Sequence, residues 1–146
     1  MKEGLEYKMF GIVPYQLSEI QKGIQFAHAL AQYSYLATTQ NDNDFHRWIN
    51  YFETIVLLNG GTTSKEENSL GSLNILSEEL FKRNIKHTKF YEPTLGNQLT
   101  AICLLVDSRV WENNYSLNIE EMDIDTIDEM KKLLYLQRTL KTMKTA

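Results

Sequence analysis

Thr54-Ile55-Val56-Leu57-Leu58, closed by Asn59-Gly60-Gly61, is the stretch on which the fold class turns. It is rich in β-branched residues and apolar without alternation, so it reads as a central strand covered above and below. A sheet with both faces covered needs helices on both sides. The expectation is therefore an α/β fold, a three-layer α/β/α sandwich.

Upstream, Tyr7 to Val13 (Tyr-Lys-Met-Phe-Gly-Ile-Val) is a short apolar run stopped by Pro14, which suits a buried first strand. Ser18-Glu19-Ile20-Gln21 then has the form of a capping box, in which the serine hydroxyl and the glutamine side chain each satisfy a free N–H at a helix start. Ile20, Ile24, Ala27, Ala31 and Tyr35 follow at helical spacing and are expected to form the face that packs on the sheet. Thr38 to Asp44 is polar and turn-rich, and Phe45 to Asn50 reads as one short helical turn.

Downstream, Leu70, Leu73, Leu76 and Leu80 repeat every three or four residues, with Lys82 and Arg83 in the last turn and Asn84 as a left-handed cap. Ile85 to Tyr91 and Leu99 to Val106 read as two strands of a hairpin, joined by Glu92–Gln98 with Gly96 inside it. The order is thus β-α-β-α-β-β, and a parallel first connection should cross over right-handed. After Asp107 the composition shifts. Glu120, Glu121, Asp123, Asp125, Asp128 and Glu129 precede Lys131, Lys132, Arg138, Lys141 and Lys144, which complements a helix dipole. Ile127, Met130, Leu133, Leu134, Leu140 and Met143 supply its apolar stripe. Residues 1–108 therefore read as the main domain, and 109–146 as a C-terminal helical extension docked on it or on a second copy.

Composition narrows the classes. The chain has 146 residues, enough for one core that buries roughly two-thirds of the unfolded surface. With 42 % apolar residues, two prolines and seven glycines, it is neither disordered nor fibrous in character. The net charge of −4 excludes general capture of a phosphate backbone, so a nucleic-acid partner needs a local patch. Lys82, Arg83, Lys86 and Lys89 form the one close basic cluster. A single cysteine, Cys103, rules out an internal disulfide and reads as a reduced, packed thiol, which fits a cytoplasmic setting. Met1 to Glu6 lacks the shape of a secretion signal, and the apolar run Ile102 to Val106 falls far short of the ~20 residues of a membrane span.

Two constellations can carry chemistry. Gln21, Gln25, His28 and Gln32 make a polar stripe on the first helix, able to orient a polar substrate beside the helix N–H groups. The same stripe also suits a plain solvent-facing side with a histidine at its edge. The second constellation is Glu92-Pro93-Thr94-Leu95-Gly96-Asn97-Gln98-Leu99-Thr100, at the strand ends where α/β proteins usually place sites. Glu92 can activate a water that Thr100 positions; alternatively this is only a tight hairpin with Gly96 at positive φ. His28, His46 and His87 are scattered without ligand spacing, so no metal site is expected. Phosphate-loop and nucleophile-elbow patterns are lacking. Trp48 and Trp111 suit either base stacking or packing, and packing is the more frequent fate.

Taken together, Leu17-Ser18-x-x-Gln21-x-x-x-Gln25-x-x-His28-Ala29, the Ile55–Leu58 strand and Glu92-Pro93-x-Leu95-Gly96-x-x-Leu99-Thr100-Ala101-Ile102 resemble the type II peptidyl-tRNA hydrolase superfamily. The likeness spans about residues 7 to 107 and is closest to a divergent bacterial and phage-type branch. It implies a four-stranded mixed sheet between helices, often as a homodimer, that cleaves the ester joining a peptide to tRNA without metal or organic cofactor. Gln25, His28 and Thr100 match family positions directly. Glu92-Pro93-Thr94 stands where the well-studied branch has an aspartate followed by Ala-Gly, and the hairpin here is shorter. Gln21 replaces that branch's lysine, with Lys22 one step on and about 100° round the helix. The resemblance thus implies catalytic work for Glu92, Thr100, Gln25 and His28, and substrate contacts from Gln21, Lys22 and Asn97; Lys82 and Arg83, in the basic cluster, read either as part of a tRNA-binding surface or as a solvated helix end. The competing class is a non-catalytic module that binds a small nucleotide-like ligand or acts as a dimeric interaction protein.

Overall fold

Strand alternation assigns each core residue to one of two layers, and the chain supplies helices for both. In this computed structural model, residues 4–112 and 126–146 are described. Strands β1 (Tyr7–Val13), β2 (Ile55–Asn59), β3 (Thr88–Glu92) and β4 (Gln98–Asp107) form one sheet in the order β2-β1-β4-β3. β1 and β2 are parallel, and the other two pairings are antiparallel. The sheet is therefore mixed, and the fold is the α/β sandwich expected.

On one face, Tyr7, Met9 and Val13 of β1 and Ala101 and Cys103 of β4 pack with Phe26, Ala29, Tyr33 and Ala37 of α1 (Glu19–Thr39) and Phe45 of α2 (Asn43–Arg47). On the other, Phe10, Ile12, Ile102, Leu104 and Val106 meet Leu73, Leu76 and Leu80 of α3 (Ser72–Lys82). Val110 of α4 (Ser108–Trp111) and Leu133, Leu136 and Leu140 of α5 (Ile127–Lys141) complete this second core. Arg109, buried at 2 % exposure, ties α4 to the end of β4 through Asp107 at 2.9 Å and to α5 through Glu129 at 3.1 Å. Glu120, Glu121, Asp123 and Asp125 lie outside the described residues.

Several expectations need correction. Ile55–Asn59 is an edge strand rather than a central one: Ile55 is exposed, Val56 and Leu57 are half-buried, and β1 takes the central place. An apolar run records burial, but the C-terminal tail covers this strand's outer edge, where Asn59 N–H donates to the Lys144 carbonyl and Ala146 N–H to that of Leu57. The expected sheet-facing stripe of α1 is also wrong. Ile20, Ile24 and Tyr35 are exposed, and the buried face carries Lys22, Gln25, Phe26, Ala29, Tyr33 and Ala37. Gly11 explains the choice, since a Cβ there would lie 2.2 Å from the Phe26 ring; only a glycine lets α1 approach β1 this way round.

Smaller shifts have local causes. The third strand starts at Thr88 and not Ile85, because Asn84 takes a left-handed φ of 56° and the Ile85 N–H returns to the Leu80 carbonyl to close α3. Phe45–Asn50 is split between α2 and a π-helical turn, Trp48–Phe52. Trp48 is buried with its indole N–H on the Thr54 carbonyl at 2.9 Å, and Trp111 packs near Phe10 beneath Lys8. Burial pushes the Cys103 thiol well above its ordinary pKa, as a packed cysteine requires. Among the described residues no helix is long and apolar enough to cross a membrane.

Candidate functional site

Three elements converge at one end of the sheet. Ser18 caps α1 by accepting the Gln21 N–H at 3.2 Å, half of the expected capping box, while the Gln21 side chain turns to Gln25 instead. The first-turn N–H groups of α1 precede the first helical bond and suit an anion. The β3–β4 hairpin arrives alongside. Its 3-10 turn Pro93–Leu95 is followed by Gly96 and Asn97, both at positive φ, and the Asn97 N–H closes the turn on the Glu92 carbonyl.

A register shift within this hairpin aims the critical side chain. Phe90 pairs with Ala101 but Tyr91 pairs with Leu99, which leaves Thr100 as the extra residue of a bulge. In strict alternation Thr100 would face α3, because Ala101 and Cys103 face α1. The bulge turns Thr100 over instead, and its hydroxyl donates to Gln25 Oε1 at 2.5 Å, beneath α1. Leu99 takes the opposite side, in the core shared with α3.

Gln25 is fully buried and its amide is used at both ends. With Oε1 accepting from Thr100, its Nε2 must be the donor group, and it reaches Glu92 Oε1 and Gln21 Oε1, both at 3.3 Å. Thr100, Gln25 and Glu92 thus form one hydrogen-bonded chain across three elements. It holds one carboxylate oxygen of Glu92. Beside it, Gln16, Leu17, Thr63, Leu95, Gln98 and Thr100 line a cleft of about 380 Å³. Gln98 Oε1 is buried there without a hydrogen-bond donor among the described residues.

The remaining residues singled out from the sequence separate. His28 is exposed and lies flat on Phe90, ring centres 4.2 Å apart, one helical turn beyond Gln25. Lys22 turns inward on the Gln25 face, its ammonium 3.3 Å from Glu19, whereas Gln21 is exposed. Asn97 sits exposed at the hairpin turn. Lys82 and Arg83 are not in this cluster: they lie at the end of α3, on the other face of the sheet, where Arg83 meets Glu79 at 3.2 Å and covers Tyr135. Among the described residues no three His, Cys, Asp or Glu side chains stand together as metal ligands.

Sequence reasoning places Gln98 in the hairpin constellation without a role of its own, and it does not foresee a second, larger groove of about 510 Å³ between α3 and β3. Period-2 alternation in Lys89-Phe90-Tyr91-Glu92 was the available signal for that groove: Lys89 and Tyr91 face it, while Phe90 and Glu92 face α1. The bulge at Thr100 had no signal, since neither glycine nor proline marks it. No protein-family model matches the chain, and no curated protein matches it.

Proposed function

We propose that this protein hydrolyses the ester of peptidyl- or N-blocked aminoacyl-tRNA. The observation that carries the reading is the Thr100–Gln25–Glu92 chain on the edge of a cleft at the α1 N-terminus, which unites the two motifs of the family resemblance. Glu92 takes a proton from a water that the Thr100 hydroxyl holds through its free lone pair, and the water oxygen attacks the ester carbonyl carbon. Negative charge on the carbonyl oxygen meets the first-turn N–H groups of α1. The oxyanion then collapses, the carbonyl–ribose oxygen bond breaks, and the ribose oxygen leaves with the proton from Glu92. Gln25 fixes the carboxylate in this scheme, since both ends of its amide are already engaged.

That full engagement also favours a second reading, in which the polar chain is structural and the cleft holds a small nucleotide-like ligand without turnover. Release of the blocked amino acid from N-acetyl-aminoacyl-tRNA separates the two. Turnover by the wild type that Glu92→Gln removes supports the hydrolase; no turnover by the folded wild type ends it. The tRNA partner, a cytoplasmic setting and the homodimer implied by the resemblance belong to the same proposal, and sedimentation of the purified chain tests the last.

A further inference from the structure

We infer that the groove between α3 and β3 binds nucleotide units, phosphates on its lysines and bases on its aromatic rings, and that it seats the RNA strand of the substrate. Lys65, Lys82 and Lys89 line it against one carboxylate, Glu78. Such an excess of cations is unusual for a chain of net charge −4. Ion pairs among the described residues involve Lys22, Arg83, Lys86, Arg109 and Lys132, and none involves the three groove lysines. Lys65 meets a backbone carbonyl and Lys89 an aromatic ring, so among the described residues no carboxylate neutralises the three and their charge is open to an anion from outside.

The apolar lining says which anion. Phe81 is 77 % exposed and Tyr91 44 %, so two large rings stand at the surface of the same groove, Tyr91 with the Lys89 ammonium 5.9 Å from its ring centre. Rings beside unpaired cations suit bases and phosphates in alternation, and they offer an acidic peptide little. The groove's volume falls within the range of pockets for small ligands, roughly 300–1,000 Å³, which accommodates a nucleotide unit.

Position connects the groove to the cleft. Lys65 Nζ donates to the Gly96 carbonyl at 2.8 Å, which pins the loop before α3 to the hairpin turn. Thr63 lines the cleft and Lys65 the groove, and Thr100 and Leu99 divide in the same way. A strand lying in the groove therefore has its end one hairpin turn away from Glu92. The inference deepens the ester-hydrolase reading and rests on it for the choice of an RNA strand over free nucleotide.

Fluorescence anisotropy with a labelled single-stranded RNA hexamer, with adenosine monophosphate and poly-glutamate as competitors, tests it. Lys82→Glu or Lys89→Glu should weaken hexamer binding about tenfold or more and flatten its salt dependence by roughly one ion per lysine. Phe81→Ala should weaken it about tenfold with the salt dependence kept. Glu92→Gln should bind as the wild type does, so loss of the hydrolase reading leaves this result standing. Competition by the mononucleotide at strengths near the hexamer's assigns the groove to free nucleotide; much weaker competition assigns it to a strand. The first outcome keeps the nucleotide chemistry and overturns the seating of an RNA strand; the second supports both. No binding of the hexamer or the mononucleotide, binding indifferent to all three groove variants, or equal displacement by poly-glutamate overturns the inference.

Discussion

The two faces of one hairpin are built in opposite ways. Towards α1, Glu92 and Thr100 are drawn into a hydrogen-bonded chain through a fully buried glutamine. Towards α3, the neighbouring Tyr91 and Leu99 border a groove whose lysines have no carboxylate partner among the described residues and whose rings are exposed. A closed polar network holds geometry, because each member's position is set by the next. An open set of charges holds little geometry but much potential, which suits capture more than chemistry. Under the proposed hydrolase reading, the difference separates a place for positioning a reacting group from a place for gripping a charged chain.

The largest expected effect breaks the faces apart. Glu92→Gln should lower turnover of N-acetyl-aminoacyl-tRNA by about 10²–10⁴-fold, the usual worth of a general base, with RNA affinity unchanged. A parallel fall in RNA affinity would show that the faces act as one. Next, Gly11→Ala drives a Cβ into the Phe26 ring and should cost about 1–3 kcal/mol in urea unfolding. Because Phe26 and Gln25 share α1, turnover of the folded variant should drop while RNA binding stays.

Thr100→Val removes the hydroxyl and keeps the shape, which leaves Gln25 Oε1 buried without its donor. A loss of about 1–3 kcal/mol is expected. Lys82→Ala, exposed and without an ion pair among the described residues, should stay within about 0.5 kcal/mol of the wild type. Equal stabilities of the two variants would contradict the contrast between a closed and an open side.

The smallest effect is a titration. Burial pushes the His87 pKa down; the Ile85 carbonyl on Nδ1 opposes this, and the charge of Lys89 adds to the lowering. The folded protein therefore prefers the neutral imidazole. Its contribution to stability is present above the ordinary value of about 6.5 and is lost as the pH falls through the depressed folded value. An NMR titration should find His87 below the ordinary histidine value of about 6.5, and Lys89→Ala should raise it. An unchanged His87 in that variant would show that the groove cation does not reach it.

Much of this was legible along the chain. The first strand matches residue for residue at Tyr7–Val13, and the Leu73–Leu76–Leu80 spacing names the buried side of α3. Gln25, Glu92 and Thr100 were nominated by residue type at helix and strand ends, and they meet. The α1 face was misread because both sides of that helix carry apolar residues, and periodicity cannot rank them. Only the space above Gly11 does so.

Local pattern by itself determined which segments are strands and helices, and that both sheet faces are covered, because burial and backbone geometry leave a period in neighbouring residues. Strand order, the inward side of α1, the bulge that turns Thr100 beneath Gln25, and the meeting of Lys65, Lys82 and Lys89 with two exposed rings were decided by the tertiary structure. Each depends on contacts between segments far apart in the chain, and such contacts leave no period for a sequence to display.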